Sequence, residues 1–153
     1  MNDPIIRKAV LISINKPHTD NIFSGQKGLE WRKKRLPEGL YYVYETKNKG
    51  GCGMVVGEMH ITGSKEVDTG GPLEVCLVNA GCVHPVTLKK YANNGIVYAN
   101  IIRDTKRYEK PRPLSDFESW NCSVYFEDGL PMPTHEIKRP PQSWFYVRRI
   151  DNA

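Results

Sequence analysis

Apolar and polar positions change period several times along this chain. Val10 to Ile14 is an unbroken apolar run of strand length, closed by Asn15-Lys16-Pro17. Pro17 suits the first turn of a helix, Ile22 and Phe23 supply its buried side, and Gly25 ends it. Leu29-Glu30-Trp31-Arg32 then alternates strictly, which on a strand sends Leu29 and Trp31 to one face and Glu30 and Arg32 to the other. Leu40 to Thr46 is rich in Tyr and Val, and Met54 to Ile61 follows a Gly50-Gly51 and Gly53 turn, so both are expected strands. Leu73, Cys76, Leu77 and Ala80 recur at helical spacing over Pro72 to Gly81, and a second short helix is expected over Val86 to Asn93 before Asn94-Gly95.

Ile96 to Tyr108 is a long, bent strand by its Ile, Val and Tyr content, followed by a Pro-punctuated loop over 109–119. Asn121 to Met132 is expected to form a hairpin or excursion turning at Asp128-Gly129, and Trp144 to Ile150 is the closing strand. The inventory is about six strands and two or three short helices, an α+β class that fits a small mixed β-barrel. The 153 residues suffice for one core and are short for two domains, so a single domain over 1–153 is expected.

Hydrophobic content of 39% and charged content of 25% are those of a water-soluble domain. The start, Met1 to Lys8, is polar, and no apolar run approaches the ~20 residues of a membrane span. No membrane association and a cytoplasmic location are expected. The net charge of +5 and pI near 9.0 mildly favour phosphate-bearing partners. Distribution says more: Arg32-Lys33-Lys34-Arg35 is a dense basic cluster directly after the alternating segment. Cys52, Cys76, Cys82 and Cys122, with His60, His84 and His135, lack the paired Cys-x-x-Cys spacing of structural zinc, so no metal or other cofactor is expected. Nucleophile elbow, P-loop, dinucleotide fingerprint and His-Glu-x-x-His are all missing from the sequence, which leaves common hydrolase, kinase and dehydrogenase templates unsupported.

Candidate chemistry gathers in Gly25 to Arg32. Lys27, in a Gly-flanked turn, can anchor a phosphate or, if desolvated, act as nucleophile or base; the plain alternative is an exposed turn lysine paired with Glu30. Glu30 can take a proton or accept from a base edge, or merely pair with Arg32 along the strand. Arg32 offers a planar fork to phosphate or carboxylate, or a rim salt bridge. Ser13, Lys16 and Pro17 mark a helix start that can seat an anion, with Lys33 in the adjoining basic cluster. His18 beside them is expected to be solvated. Tyr44 and Tyr42 are core by type, with base stacking possible if they line a groove.

The pattern Gly-x-Lys-x-x-Glu-x-Arg at Gly25–Arg32 resembles the signature of ASCH domains, a branch of the PUA-like superfamily. The resemblance extends to Val10–Ile14 with Lys16-Pro17, Val55-Val56-Gly57-Glu58, Lys106–Pro111, Leu114–Phe117 and Pro140–Val147, in the order of short bacterial and phage-type members. It is interrupted near 62–82 and 118–137. It implies a PUA-like pseudobarrel, RNA or a nucleotide-like ligand as partner, and a pocket against which Ser143 lies. Enzymatic members of the wider family can carry a hydroxyl residue where Glu30 stands, so this chain departs from them there.

Three functions follow as expectations. The first is an RNA- or nucleotide-binding module with Lys27, Glu30 and Arg32 as its floor. The second is a small hydrolase of modified nucleosides or RNA, of amidohydrolase or ribonuclease type, with Lys27 and Glu30 as catalytic residues and Ser143 or Tyr44 as auxiliary donor. The third is a protein-interaction module using Trp120, Tyr125 and Phe126.

Overall fold

The structure is a computed structural model that describes residues 8–120 and 136–150. Its strands are β1 (Lys8–Ile14), β2 (Leu29–Arg32), β3 (Gly39–Glu45), β4 (Met54–Asp68), β5 (Ile96–Arg112) and β6 (Trp144–Arg148). Helix α1 spans His18–Phe23, α2 Val75–Gly81 and α3 Pro85–Tyr91. The strands form one mixed sheet in the order β2-β5-β4-β3-β1-β6, with β1 parallel to β3 and the other neighbours antiparallel. The α+β class and the six strands match the expectation, and the barrel does not close: β2 and β6 are the two edge strands of the sheet, with Ser119 bridged to Val147 along β6. Among the described residues no helix is long and apolar enough to cross a membrane.

β1 and β3 are covered on both faces, which explains their unbroken apolar sequences. Val10, Ile12 and Ile14 join Tyr41, Val43 and Ile22 of α1 in one cluster, while Ala9 and Leu11 join Tyr42, Tyr44 and Phe117 in another. A third cluster, under α2 and α3, holds Leu29, Trp31, Val67, Leu88, Val97 and Ala99. It anchors β2, whose Leu29 and Trp31 are 8% and 6% exposed.

Two boundaries differ from the sequence reading. β4 continues past Ile61 to Asp68, because Ser64 to Asp68 pair with Asn100 to Ile96 although most of that stretch faces solvent and is therefore polar. β5 runs on to Arg112 through Pro111, where a loop was expected. The pairing jumps from Gly57↔Arg107 to Val55↔Arg112, so Pro111 falls in a register irregularity that does not need its missing N–H. The expected excursion at 121–132 lies outside the described residues, as do Cys122, Tyr125, Phe126 and His135. Trp120 donates its backbone N–H to the Tyr146 carbonyl at 3.0 Å and so lies against β6.

Candidate functional site

The motif turn is pinned on three sides before β2 begins. The Lys27 N–H donates to the Asn21 carbonyl of α1 at 2.8 Å, the Gly28 N–H to Ala80 of α2 at 2.8 Å, and the Gly28 carbonyl accepts from Ile102 of β5. Lys27 is therefore not an exposed turn lysine. It is 2% exposed, and its Nζ donates to the Gly81 carbonyl at the end of α2. Burial lowers its pKa, Glu30 and Cys82 raise it less, and Arg32 lowers it further, leaving a net depression below the ordinary lysine value.

β2 delivers Glu30 and Arg32 to the face opposite the Leu29 and Trp31 cluster. Asn100, fully buried on β5, fixes this segment: its Nδ2 donates to the Glu30 carbonyl at 3.0 Å and its Oδ1 accepts from the Leu36 N–H at 2.9 Å. Glu30 is 8% exposed. Its Oε1 lies 3.4 Å from Arg32 Nε, and its Oε2 is buried without a partner. Arg32 Nη1 donates to Ser143 Oγ at 3.0 Å and Nη2 to the Ser13 carbonyl at 3.1 Å. One guanidinium thus ties the β2 edge to β1 and to the start of β6, across the side on which the sheet fails to close.

Two cavities adjoin at these residues. The outer, about 710 Å³, is bordered by Ser13, Glu30, Arg32, Tyr44, Lys47 and Gln142 among others. The inner, about 200 Å³, is bordered by Lys27, Glu30, Val83, Thr87 and Leu88. His18, Glu30, Trp31 and Tyr91 line both. Three of these four carry a buried polar atom with no hydrogen-bond partner: His18 Nδ1, Glu30 Oε2 and Trp31 Nε1. His18 Nδ1 and Glu30 Oε2 thus belong to side chains that border both chambers, whereas Trp31 Nε1 abuts Gly81 at the end of α2.

The remaining sequence candidates stand at the border or outside. Ser13 Oγ donates to the Pro141 carbonyl at 2.7 Å, holding the Pro140–Gln142 wall. Tyr44, 4% exposed, lines the outer chamber, its phenol pushed up by burial and then by Cys52. Lys16 pairs with Asp20 at 3.8 Å and lines neither chamber. Lys33 lines neither either, but its Nζ lies 5.0 Å from the centre of the Tyr91 ring.

His18 was expected in solvent and is instead half-buried at the start of α1. Desolvation lowers its pKa, the Lys27 charge lowers it further, and Glu30 opposes both, so the imidazole is neutral at neutral pH. Its proximity to Lys16-Pro17 in the motif order was the available signal. Tyr91 and Asn100 had none, since they come from distant elements that only the fold brings in.

Solved structures of the ASCH protein of Zymomonas mobilis superpose on this chain. The unmodified protein aligns with a TM-score of 0.63 at 18% identity, covering 92% of this chain and 87% of that one. A serine-to-alanine variant gives 0.63 at 19% identity (93% and 89%), and a tyrosine-to-phenylalanine variant 0.64 at 18% (93% and 91%). This chain has the ASCH fold. No family model and no curated protein matches the sequence. In this chain the paired chambers lie between β2, α1, α3 and the segment leading into β6, with Lys27, Glu30 and Arg32 among their lining residues.

Thr46 to Gly53 forms the outer lip, and buried Glu45 holds it. Glu45 Oε1 accepts from Thr19 Oγ1 at 2.5 Å and Oε2 from the Cys52 N–H at 3.0 Å. Burial pushes the Glu45 carboxyl up, but hydrogen bonds from Thr19 and Cys52, with the Lys16 charge, outweigh it and hold the pKa below its ordinary value. The unfolded chain then binds the proton more readily, so the stabilisation is complete above the ordinary Glu pKa of about 4.3 and is lost as pH falls through the depressed folded value. Denaturant midpoints of the wild type and Glu45→Gln should differ most near neutrality and converge in acid. A gap that stays constant down to the lowest pH would refute the assignment.

Proposed function

We propose that the chain acts as one ASCH module over residues 1–153 that binds a nucleotide unit, of RNA or of a nucleotide-like ligand, in the paired chambers. The observation that carries this reading is that unpartnered Glu30 Oε2 and His18 Nδ1 belong to side chains that line both chambers. Together they offer a carboxylate acceptor and an imidazole, groups able to read the polar edge of a base. Tyr91, which borders both chambers, supplies an aromatic face. The outer chamber is of the size that admits one small ligand and leads to the basic rim, and the net charge of +5 favours a phosphate-bearing partner. The ASCH resemblance of the motif order supports the same choice of partner.

Fluorescence anisotropy with a short single-stranded RNA tests it. Binding should weaken steeply between ~50 mM and ~200 mM salt, and Glu30→Gln should cost about tenfold through loss of a charged hydrogen bond. RNA that is not retained at low salt, or binding indifferent to both changes, refutes the reading.

A second reading, a hydrolase of modified nucleosides or RNA, draws on one specific observation: a buried lysine of lowered pKa shares the inner chamber with Glu30. A lysine so placed is more often the neutral base at a given pH than a surface lysine is. Turnover of acylated nucleosides and short RNAs should then be abolished in Lys27→Ala and should rise with pH in the wild type as the amine deprotonates. Equal rates in wild type and variant exclude Lys27 as the catalytic residue.

A further inference from the structure

Positive charge around the chambers is unevenly committed. Arg32, whose fork the sequence offered to a phosphate, is turned on Glu30, Ser143 and Ser13 of its own chain. Lys16 is taken up by Asp20, and Lys33 lies over Tyr91. Lys27 is buried and bonded to Gly81. On the opposite lip, Lys47 and Asn48 border the outer chamber, and the Lys49 ammonium is near enough for its charge to bear on His18. Among the described residues neither Lys47 nor Lys49 has an ion-pair partner.

The lip that carries these lysines is also rigidly shaped. Besides the grip of Glu45 on the Cys52 N–H, the Gly53 N–H donates to the Glu45 carbonyl at 3.0 Å and the Gly51 N–H to Asn48 at 3.1 Å. A Cβ on Gly51 would stand 1.7 Å from the Thr46 carbonyl oxygen, so the loop closes on itself more tightly than any side chain there would allow. Lys49 and Gly50 both take positive φ, +53° and +83°, which folds the chain back at the tip. The Lys47 stem lies across Gly53, where a Cβ would come within 2.7 Å of Lys47 Cε. A lysine whose stem is laid on a glycine loses less rotamer freedom on binding than one free in solvent.

We propose that the Thr46–Gly53 loop is the phosphate-binding lip of the outer chamber, with Lys47 and Lys49 receiving the phosphate of a nucleotide unit and the Asn48 amide beside them. The proposal rests on the nucleotide reading of the same site and gives the ligand a direction. The base edge enters toward Glu30 and Lys27, and the phosphate stays outside at the lip. The phosphate contacted is therefore the one at the outer end of the unit, and an unphosphorylated nucleoside binds without using the loop.

NMR titrations separate this proposal from the reading beneath it. The probes are inorganic phosphate, the four ribonucleoside 5′-monophosphates, their nucleosides, and a short single-stranded RNA. Phosphate and the monophosphates should shift the resonances of the lip. The double variant Lys47→Ala/Lys49→Ala should lose at least about tenfold in monophosphate affinity and leave nucleoside affinity unchanged. Its salt slope for RNA should fall by about 0.7 for each phosphate contact removed. Lys47→Gln/Lys49→Gln, which keeps the stems, should behave alike. If RNA binding and its salt slope survive both double variants, the lip assignment is overturned while the nucleotide reading stands. If phosphate shifts the lip but no nucleotide or RNA is held, the anion site stands and the nucleotide reading falls. If no probe moves the lip, the lip assignment falls, and the nucleotide reading falls with it only where no nucleotide, nucleoside or RNA is held either.

Discussion

Gly81→Ala is expected to destabilise the fold by about 1–3 kcal/mol, the range for one methyl group forced into a packed interior. The residue ends α2, and a Cβ there would stand 1.9 Å from Trp31 Nε1 and 2.8 Å from Trp31 Cε2. Helix propensity pulls the other way, favouring alanine by about 1 kcal/mol. Overpacking prevails because the indole has no free direction: Trp31 is 6% exposed and packed with Leu29, Val67, Leu88 and Val97. The effect reaches the site as well. The Gly81 carbonyl holds Lys27 Nζ, and Trp31 lines both chambers, so the variant should also weaken ligand binding. Trp31→Phe, which removes the clashing ring, should recover part of the loss when combined with Gly81→Ala. Denaturant midpoints of the four proteins in that cycle measure the coupling. Purely additive midpoints would show that the clash is relieved elsewhere.

Legibility followed physical cause. β1 and β3 could be read directly because both faces are buried and nearly every position is apolar. β2, only four residues long, was legible through alternation, which placed Leu29 and Trp31 in the core and turned Glu30 and Arg32 to the chamber side. The second half of β4 was not, since a solvent-facing strand of Ser, Lys, Glu and Asp has the composition of a loop and is strand only because β5 pairs with it.

The same distinction applies to the site. The motif brought Lys27 and Glu30 to one chamber, but the environment that makes Lys27 unusual comes from elsewhere. Burial beneath α2 and the Gly81 carbonyl come from the helix at Val75–Gly81, inside the stretch near 62–82 where the motif resemblance is interrupted. Local spacing told which groups would meet and left out what would desolvate them. Arg32 carried two readings from its type, a fork for phosphate and a rim salt bridge, and the fold engages its guanidinium with Glu30, Ser143 and Ser13.

Arg32→Ala should therefore act first on the structure and only through it on binding. The substitution removes a 3.4 Å ion pair and two charge-assisted hydrogen bonds, and it leaves Glu30, whose side chain is 11% exposed, as a buried carboxylate without its ion-pair partner. Hydrogen bonds to charged groups and the orphaning of a buried charge together set an expected loss of about 2–4 kcal/mol. Arg32→Lys keeps a positive charge without the fork, so it should fall between wild type and alanine. The decisive comparison is with Glu30→Gln. In that background no buried charge is left behind, and Arg32→Ala should cost distinctly less than it does beside the native glutamate. Urea midpoints across the four-member cycle give the coupling energy directly. If Arg32→Ala costs the same with glutamate or glutamine at position 30, Glu30 does not depend on Arg32. The guanidinium would then serve only to bridge β2 to Ser13 and Ser143. If the alanine variant is as stable as wild type, that bridge too contributes nothing, and Arg32 is free to meet a ligand after all.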